Sequence, residues 1–346
     1  MTAVRLPPEF RTARDVTRWC HDVVGAALRA EVDLLPASMR RIARYHFGWA
    51  DRHGEPDTGR PGKAIRPALV VLAAKAVGGR PEAAVPAAVA VELVHNFSLL
   101  HDDVMDRDRV RRHRPTAWTV FGEAPAILVG DALLALAPRA LARGSAPNAA
   151  TAADWLTSAV LDLCEGQHAD LAFETRADVG LDECVRMAAD KTGALLGLSC
   201  ALGGLVGGAT PERAGRLRAF GRHLGLAYQL VDDLLAVWGD PAVTGKPVGS
   251  DLLSRKKSLL AVAALTSGTP AAAELADLYS RDRPLDPAEV PAVTALIERT
   301  GAREWARSRA AREMAEAAGH LEAADCDPTT SETLLEVART VVGRDR

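Results

Sequence analysis

Leu99-Leu100-His101-Asp102-Asp103-Val104-Met105-Asp106 closes a run, from residue 83, in which apolar side chains recur every three or four positions. That is the period of an α-helix. Asp102 and Asp106, four residues apart, share one helical face at a separation of about 6 Å. Two carboxylates so placed repel each other unless a cation or a proton sits between them. A solvated helix end is the plain alternative. It leaves unexplained the apolar residues that run up to the pair and the basic series Arg107, Arg109, Arg111, Arg112 and Arg114 that follows. A second aspartate pair stands in Tyr228-Gln229-Leu230-Val231-Asp232-Asp233-Leu234-Leu235, again on an apolar segment. Charged residues are seldom buried unless paired or bound to metal. Hard oxygen donors of this kind favour Mg2+ over softer metals.

Outward from these pairs the helical period continues, through 127–142, 151–174, 183–200, 212–238, 256–266 and 302–319. Gly-, Pro- and Asn-rich breaks at 53–62, 78–81, 143–149, 207–211, 239–250 and 267–270 separate the runs. No strand–GxGxxG–helix unit, Walker loop or fixed-period repeat is present, which removes the usual nucleotide platforms. A chain of 346 residues allows two domains or one large helical one. Its composition is 48% hydrophobic but only 4% aromatic, which excludes a disordered chain and argues against a sandwich or barrel. The net charge of −3 disfavours a partner held by phosphate contacts along a nucleic acid. Five scattered cysteines with no CxxC pair read as reduced thiols of a cytoplasmic protein. Residues 192–211 carry no charge, but their glycines favour a buried helix ending in a glycine loop over a membrane span. The expectation is therefore an all-α protein without a transmembrane segment.

Cations stand near both acid clusters. Gly62-Lys63-Ala64-Ile65-Arg66-Pro67 precedes the first; Gly245-Lys246-Pro247, Asp251 and Lys256-Lys257-Ser258 follow the second; Lys191-Thr192 opens the uncharged stretch. Carboxylates that hold Mg2+, with Lys and Arg opposite, are what a diphosphate requires, because ions and side chains share its charge. A competing metal reading exists. Glu92-x-x-His95 and Glu165-x-x-His168 have the spacing of di-iron bundles, with Glu55 or Glu82 and Glu123 as further ligands. It leaves both aspartate pairs, Lys63, Arg66 and the Arg111-Arg112 pair unused.

Gly62-Lys63-x-x-Arg66-Pro67, Asp102-Asp103-x-x-Asp106 with Arg111-Arg112, Lys191-Thr192, Tyr228-Gln229 and Asp232-Asp233 resemble, in order over about residues 55–265, the trans-isoprenyl (polyprenyl) diphosphate synthases. The resemblance implies a single-domain isoprenoid-synthase-type helical bundle around a central cavity, with the acid motifs on opposite walls, usually as a homodimer. It assigns 21–346 to the prenyltransferase domain and leaves 1–20 as an N-terminal extension. The implied chemistry is head-to-tail condensation of an allylic diphosphate with isopentenyl diphosphate, the released diphosphate taking the proton. Asp102, Asp106 and Asp232 are then the metal ligands, for three Mg2+ ions with diphosphate bound, and Asp103 and Asp233 support them. Asp102, Asp103, Asp106, Lys191 and Asp232 form the catalytic set. Arg111, Lys191, Thr192, Gln229, Lys246 and Lys256 take the allylic diphosphate; Lys63, Arg66, His95 and Arg112 take isopentenyl diphosphate. Gln167 and Asp170 match a polar pair on a cavity-lining helix.

Two positions depart from the family pattern. Ala236 stands where the second motif usually has a third aspartate, with Asp240 one turn further, and His113 replaces the glycine after the arginine pair. The first change implies weaker or altered metal binding. Phe97 lies five residues before Asp102, about 7.5 Å along the helix, with Ser98 beside it. These two are the floor on which a growing chain stops, as in the members that make geranylgeranyl diphosphate, farnesyl diphosphate being the next choice. A terpene cyclase on the same scaffold and a non-catalytic regulatory subunit are the alternatives. Lys63, Arg66, His95 and Arg112 favour elongation, since a cyclase has no second diphosphate to hold.

Overall fold

The computed structural model describes residues 9–57, 62–144, 148–240, 249–281, 283 and 285–343; Lys246 lies outside them. The fold is all-α, as the helical period requires. In chain order the helices are α1 (Ala13–Trp19), α2 (Gly25–Val32), α3 (Ala37–His46), α4 (Ile65–Ala76) and α5 (Val85–Met105). A short hairpin of β1 (Val110–Arg111) and β2 (Arg114–Pro115) follows, then α6 (Ala117–Phe121), α7 (Glu123–Ala142), α8 (Ala149–Thr175), α9 (Leu181–Ala188), α10 (Ala194–Val206) and α11 (Pro211–Trp238). The remainder comprises α12 (Ser250–Leu253), α13 (Leu259–Leu265), α14 (Pro270–Tyr279), α15 (Val290–Arg299), α16 (Ala302–Glu322) and α17 (Pro328–Val342).

Two compact units divide the chain. The first comprises Met1–Ser158, Leu198–Arg218 and Leu321–Val337. Its core is aliphatic: Leu69, Leu72, Leu93, Leu100, Leu133 and Leu202 are fully buried. α5 packs along α7 and α4. The glycines of the uncharged stretch serve this packing, for a Cβ on Gly203 would lie 2.2 Å from the carbonyl oxygen of Val70. Gly208, at φ +93°, then ends α10 in the expected glycine loop. Among the described residues two helices, Pro81–Met105 and Glu123–Ala142, are long and apolar enough to cross a membrane. The first is mostly buried, with 67% of its most apolar window inside the protein, as in an ordinary core helix.

The segment read as an extension contains α1, which is built into this unit. Thr12 and Asp15 form a reciprocal cap at its start. Val16 and Phe10 are buried, and the Ala13 N–H donates to Glu336 on α17. No sequence motif marks those tertiary contacts, so they were not expected.

The second unit comprises Ala159–Gly197, Ala219–His320 and Ala338–Arg346. Phe173, Leu226, Leu230, Leu234, Leu259, Leu260, Leu275 and Ile297 are among its core residues. Ser258 and Thr269 cap α13 and α14 by accepting from Ala261 and Ala272.

Candidate active site

In the first unit, α5 ends within its aspartate motif. Asp106 is the C-cap, its N–H donating to the Asp102 carbonyl, and Arg107 leaves the helix in the left-handed region at φ +57°. Asp102, Asp103 and Asp106 thus sit where the helix carbonyls already concentrate negative charge, an unfavourable placement of order 0.3–1 kcal/mol for each acid. Asp103 is buried and receives the Arg111 Nε at 2.6 Å. Its second oxygen is buried without a hydrogen-bond partner. Burial pushes the Asp103 carboxyl up to about 6, against the pull of Arg111.

The hairpin presents Arg111 and Arg112. Its turn is Arg112-His113, both left-handed at φ +52° and +63°, the geometry of a two-residue hairpin turn that glycine or asparagine adopts most readily. The ribbon is tied down by residues far off in sequence. The Tyr45 hydroxyl donates to Pro115 O at 2.8 Å, and Arg114 lies over the Tyr45 ring and pairs with Asp57 at 3.3 Å. A cavity of about 40 Å³ opens here, with Asp103, Arg111, Arg112, Tyr45 and His46 in its wall.

Three of the four residues assigned to isopentenyl diphosphate, Arg66, His95 and Arg112, come together in this unit. Arg66 Nη1 donates to His95 Nε2 at 3.2 Å. Gly62, next to Lys63, lies against the Arg112 guanidinium, which a Cβ would approach to 3.2 Å. Desolvation, with Arg66, Arg112 and Arg111 close by, holds the His95 imidazole far below its ordinary range, so it is neutral and accepts from Arg66. Beneath it, Asn96 links His46 to Glu92 through bonds of 3.2 Å each. His46, Asn96 and Tyr45 escaped the sequence reading because they carry no local motif. The di-iron reading finds no support: Glu92 bonds Asn96, and His95 faces Arg66. Phe97, the expected floor, is buried and meets the His101 ring edge-on at 4.8 Å, while Ser98 donates back to the His95 carbonyl.

In the second unit the expected single helix over 183–200 is interrupted by a π-turn, Ala189–Gly193, which carries Lys191 and Thr192. Such insertions re-aim side chains and are frequent at functional sites. Gly166 on α8 makes room for it: a Cβ there would stand 2.3 Å from the Lys191 nitrogen. Lys191 Nζ then reaches Asp170 Oδ2 at 2.5 Å, and Lys256 Nζ reaches the same oxygen at 3.0 Å. Burial alone would raise the Asp170 carboxyl, but Lys256 and Lys191 outweigh it and hold the group below its ordinary range. The Thr192 hydroxyl donates to Gln229 Oε1 at 2.8 Å, and Gln229 Nε2 donates to Asp233 Oδ1 at 2.8 Å. Asp233 is buried and burial pushes it up to about 7; its neighbour Asp232 is exposed on α11. Gln167, one turn before Asp170, is buried with neither amide atom hydrogen-bonded.

Of the residues assigned to the allylic diphosphate, Lys191, Thr192, Gln229 and Lys256 therefore gather around α8 and α11. Arg111 is held by Asp103 in the first unit, and Lys246 is outside the described residues. The donor set suits Mg2+. Asp102, Asp106 and Asp232 offer hard carboxylate oxygens, and a divalent cation would offset the acids gathered at the end of α5.

A profile of the polyprenyl synthetase family matches residues 51–297. The chain is 47% identical over 319 residues to the (2E,6E)-farnesyl diphosphate synthase of Mycobacterium tuberculosis, covering 89% of each protein. It is also 47% identical over 278 residues to a geranylgeranyl diphosphate synthase of that organism, covering 80% of this chain and 79% of that one. The solved polyprenyl synthetase of Streptomyces coelicolor matches with a TM-score of 0.91 at 45% identity, over 95% of this chain and 99% of that one.

Proposed function

The chain belongs to the polyprenyl synthetase family, and from that premise we propose a Mg2+-dependent prenyltransferase that condenses an allylic diphosphate with isopentenyl diphosphate into a short all-trans product. The observation that carries the reading is the pair of ammonium groups, Lys191 and Lys256, on one oxygen of Asp170. Two ammonium groups converging on one buried carboxylate gather cationic donors in a half-buried place suited to a polyanionic leaving group.

Lys63, Arg66 and Arg112 would take the diphosphate of isopentenyl diphosphate, neutral His95 orienting Arg66. Lys191, Lys256, Arg111 and Lys246 would take the allylic diphosphate. Thr192 and Gln229 each spend a proton within the protein, and Gln229 keeps a second amide proton for substrate. Asp102 and Asp106, and Asp232, would hold Mg2+, three ions in all with diphosphate bound. Mg2+ supplies charge neutralisation on the leaving diphosphate. In the condensation the allylic carbon–oxygen bond breaks, the isopentenyl double bond supplies the electron pair of the new carbon–carbon bond, and the proton then lost passes to the released diphosphate.

Geranylgeranyl diphosphate is the first product choice and farnesyl diphosphate the second. The buried Phe97 supports a short chain, and 47% identical relatives carry both names. A homodimer belongs to the same reading; α7 exposes Ile127 and Leu128. A cytoplasmic location rests on five unbridged cysteines. The cyclase and regulatory-subunit readings find no support among these relatives.

The test is a product assay with Mg2+, each allylic diphosphate in turn, with and without labelled isopentenyl diphosphate. Label in longer diphosphates is expected. Hydrocarbon formed without isopentenyl diphosphate would mark a cyclase, and turnover only after a second protein is added would mark a regulatory subunit.

A further inference from the structure

A second cavity adjoins the hairpin. The pair Arg111↔Arg114 borders the small cavity with Asp103 in its wall. Val110 borders a larger one, of about 530 Å³, also in the first unit, and Pro115 stands in the wall of both. That volume lies within the range of small-molecule sites. Arg41, Arg52, Arg109 and His53 line it, with Phe121 and Val120 contributing apolar wall, and no carboxylate borders it among the described residues.

The cations are arranged rather than scattered. Arg41 is anchored, its Nε and Nη2 donating to the Arg52 carbonyl at 3.2 and 2.5 Å with its guanidinium over the Phe121 ring. Arg109 lies over the Trp118 ring at 5.9 Å. Neither the Arg52 nor the Arg109 side chain makes a hydrogen bond or ion pair among the described residues, so their donors remain available. Three guanidinium groups around one concavity repel one another, and a multiply charged anion relieves that repulsion while taking forked hydrogen bonds.

We propose that this cavity, whose lining includes neither Asp103 nor Arg111, is a second anion site that takes a diphosphate group. The apolar wall accommodates a short hydrocarbon tail, so the diphosphate arrives either free or as the head of a prenyl chain. The site stands on this geometry alone and not on the reading of the catalytic residues.

Calorimetric titration of the full chain without Mg2+ tests it, using inorganic pyrophosphate and, separately, geranyl thiolodiphosphate, which does not ionise readily. Arg52→Ala/Arg109→Ala is expected to weaken one binding event at least about tenfold, since each removes charge-assisted hydrogen bonds. Arg66→Ala/Arg112→Ala, neither residue lining the larger cavity, leaves that event in place. Tighter binding of the thiolodiphosphate than of pyrophosphate identifies a prenyl ligand, and equal binding identifies free diphosphate. Identical titrations for wild type and Arg52→Ala/Arg109→Ala would overturn the proposal, as would loss of all binding in Arg66→Ala/Arg112→Ala. Should the first double variant fail to fold, the single variants, each at an exposed position, carry the same comparison. Failure of prenyl transfer in the product assay leaves this titration readable.

Discussion

Phe97, Ala236 and His113 are the positions from which properties particular to this chain are expected. Phe97 packs edge-on to His101, immediately before Asp102, so truncating it opens space at the last turns of α5. Phe97→Ala is expected to shift the product distribution toward longer chains on reversed-phase chromatography, at a stability cost of about 3 kcal/mol; an unchanged distribution removes the floor assignment. Ala236 lies one turn after Asp232 on α11, and its carbonyl accepts the Gly249 N–H. Ala236→Asp adds a carboxylate at i+4, worth about 1 kcal/mol toward a cation in water-like surroundings. Half-maximal activity should then need roughly fivefold less Mg2+, and an unmoved Mg2+ titration would show that the missing acid is irrelevant. His113 occupies a left-handed position where a side chain costs about 1–2 kcal/mol, partly returned by the chain entropy that glycine loses. His113→Gly should raise the thermal midpoint by the equivalent of up to about 1 kcal/mol, and a fall would show that the imidazole makes compensating contacts. Ala236 and His113 were readable as departures from a pattern, and Phe97 by its place five residues before Asp102. Their consequences were not, because the backbone angle of His113 and the ring contact of Phe97 are set by residues elsewhere in the chain.

The informative element is the π-turn between α9 and α10. Periodicity alone reads 183–200 as one helix, and an extra residue in one turn barely disturbs that pattern. What makes room for the π-turn carrying Lys191 is the close approach of α8 at Gly166, a distance that no sequence window records. Gly166→Ala should overpack this contact, costing about 1–3 kcal/mol. It should also raise KM for the allylic diphosphate by displacing Lys191 from Asp170. Gly215 is the internal control: on α11 a Cβ would meet nothing within 4 Å. Gly215→Ala should therefore stabilise by about 0.5–1 kcal/mol and leave KM unchanged. Equal melting shifts for the two variants would refute the close-approach argument.

For the molecule as a whole, stability toward acid follows from imidazoles held neutral. Desolvation, with Arg112 and Arg111 nearby, pushes His46 down to about 3. A group depressed in the folded state contributes stability above its unfolded value, near 6.5, and loses it as pH falls toward 3. His46→Gln should flatten the acid limb of a melting-temperature profile between pH 6.5 and 4, and a limb parallel to wild type would exclude this residue as a source. At this scale the division between sequence and structure is clear. Helical class and the two aspartate pairs, with the expectation of a metal-held diphosphate that they raise, are local properties, carried by spacings of three or four residues. Their legibility in the sequence follows from that. Tertiary structure decided which partner each cation meets: Lys191 and Lys256, 65 residues apart in number, share the Asp170 carboxylate, and Arg66 donates to neutral His95, 29 residues away. It also decided that α1 is part of the first unit and that Arg41, Arg52 and Arg109 line one cavity. Electrostatics acts through space, and the chain reaches those separations only by folding back on itself.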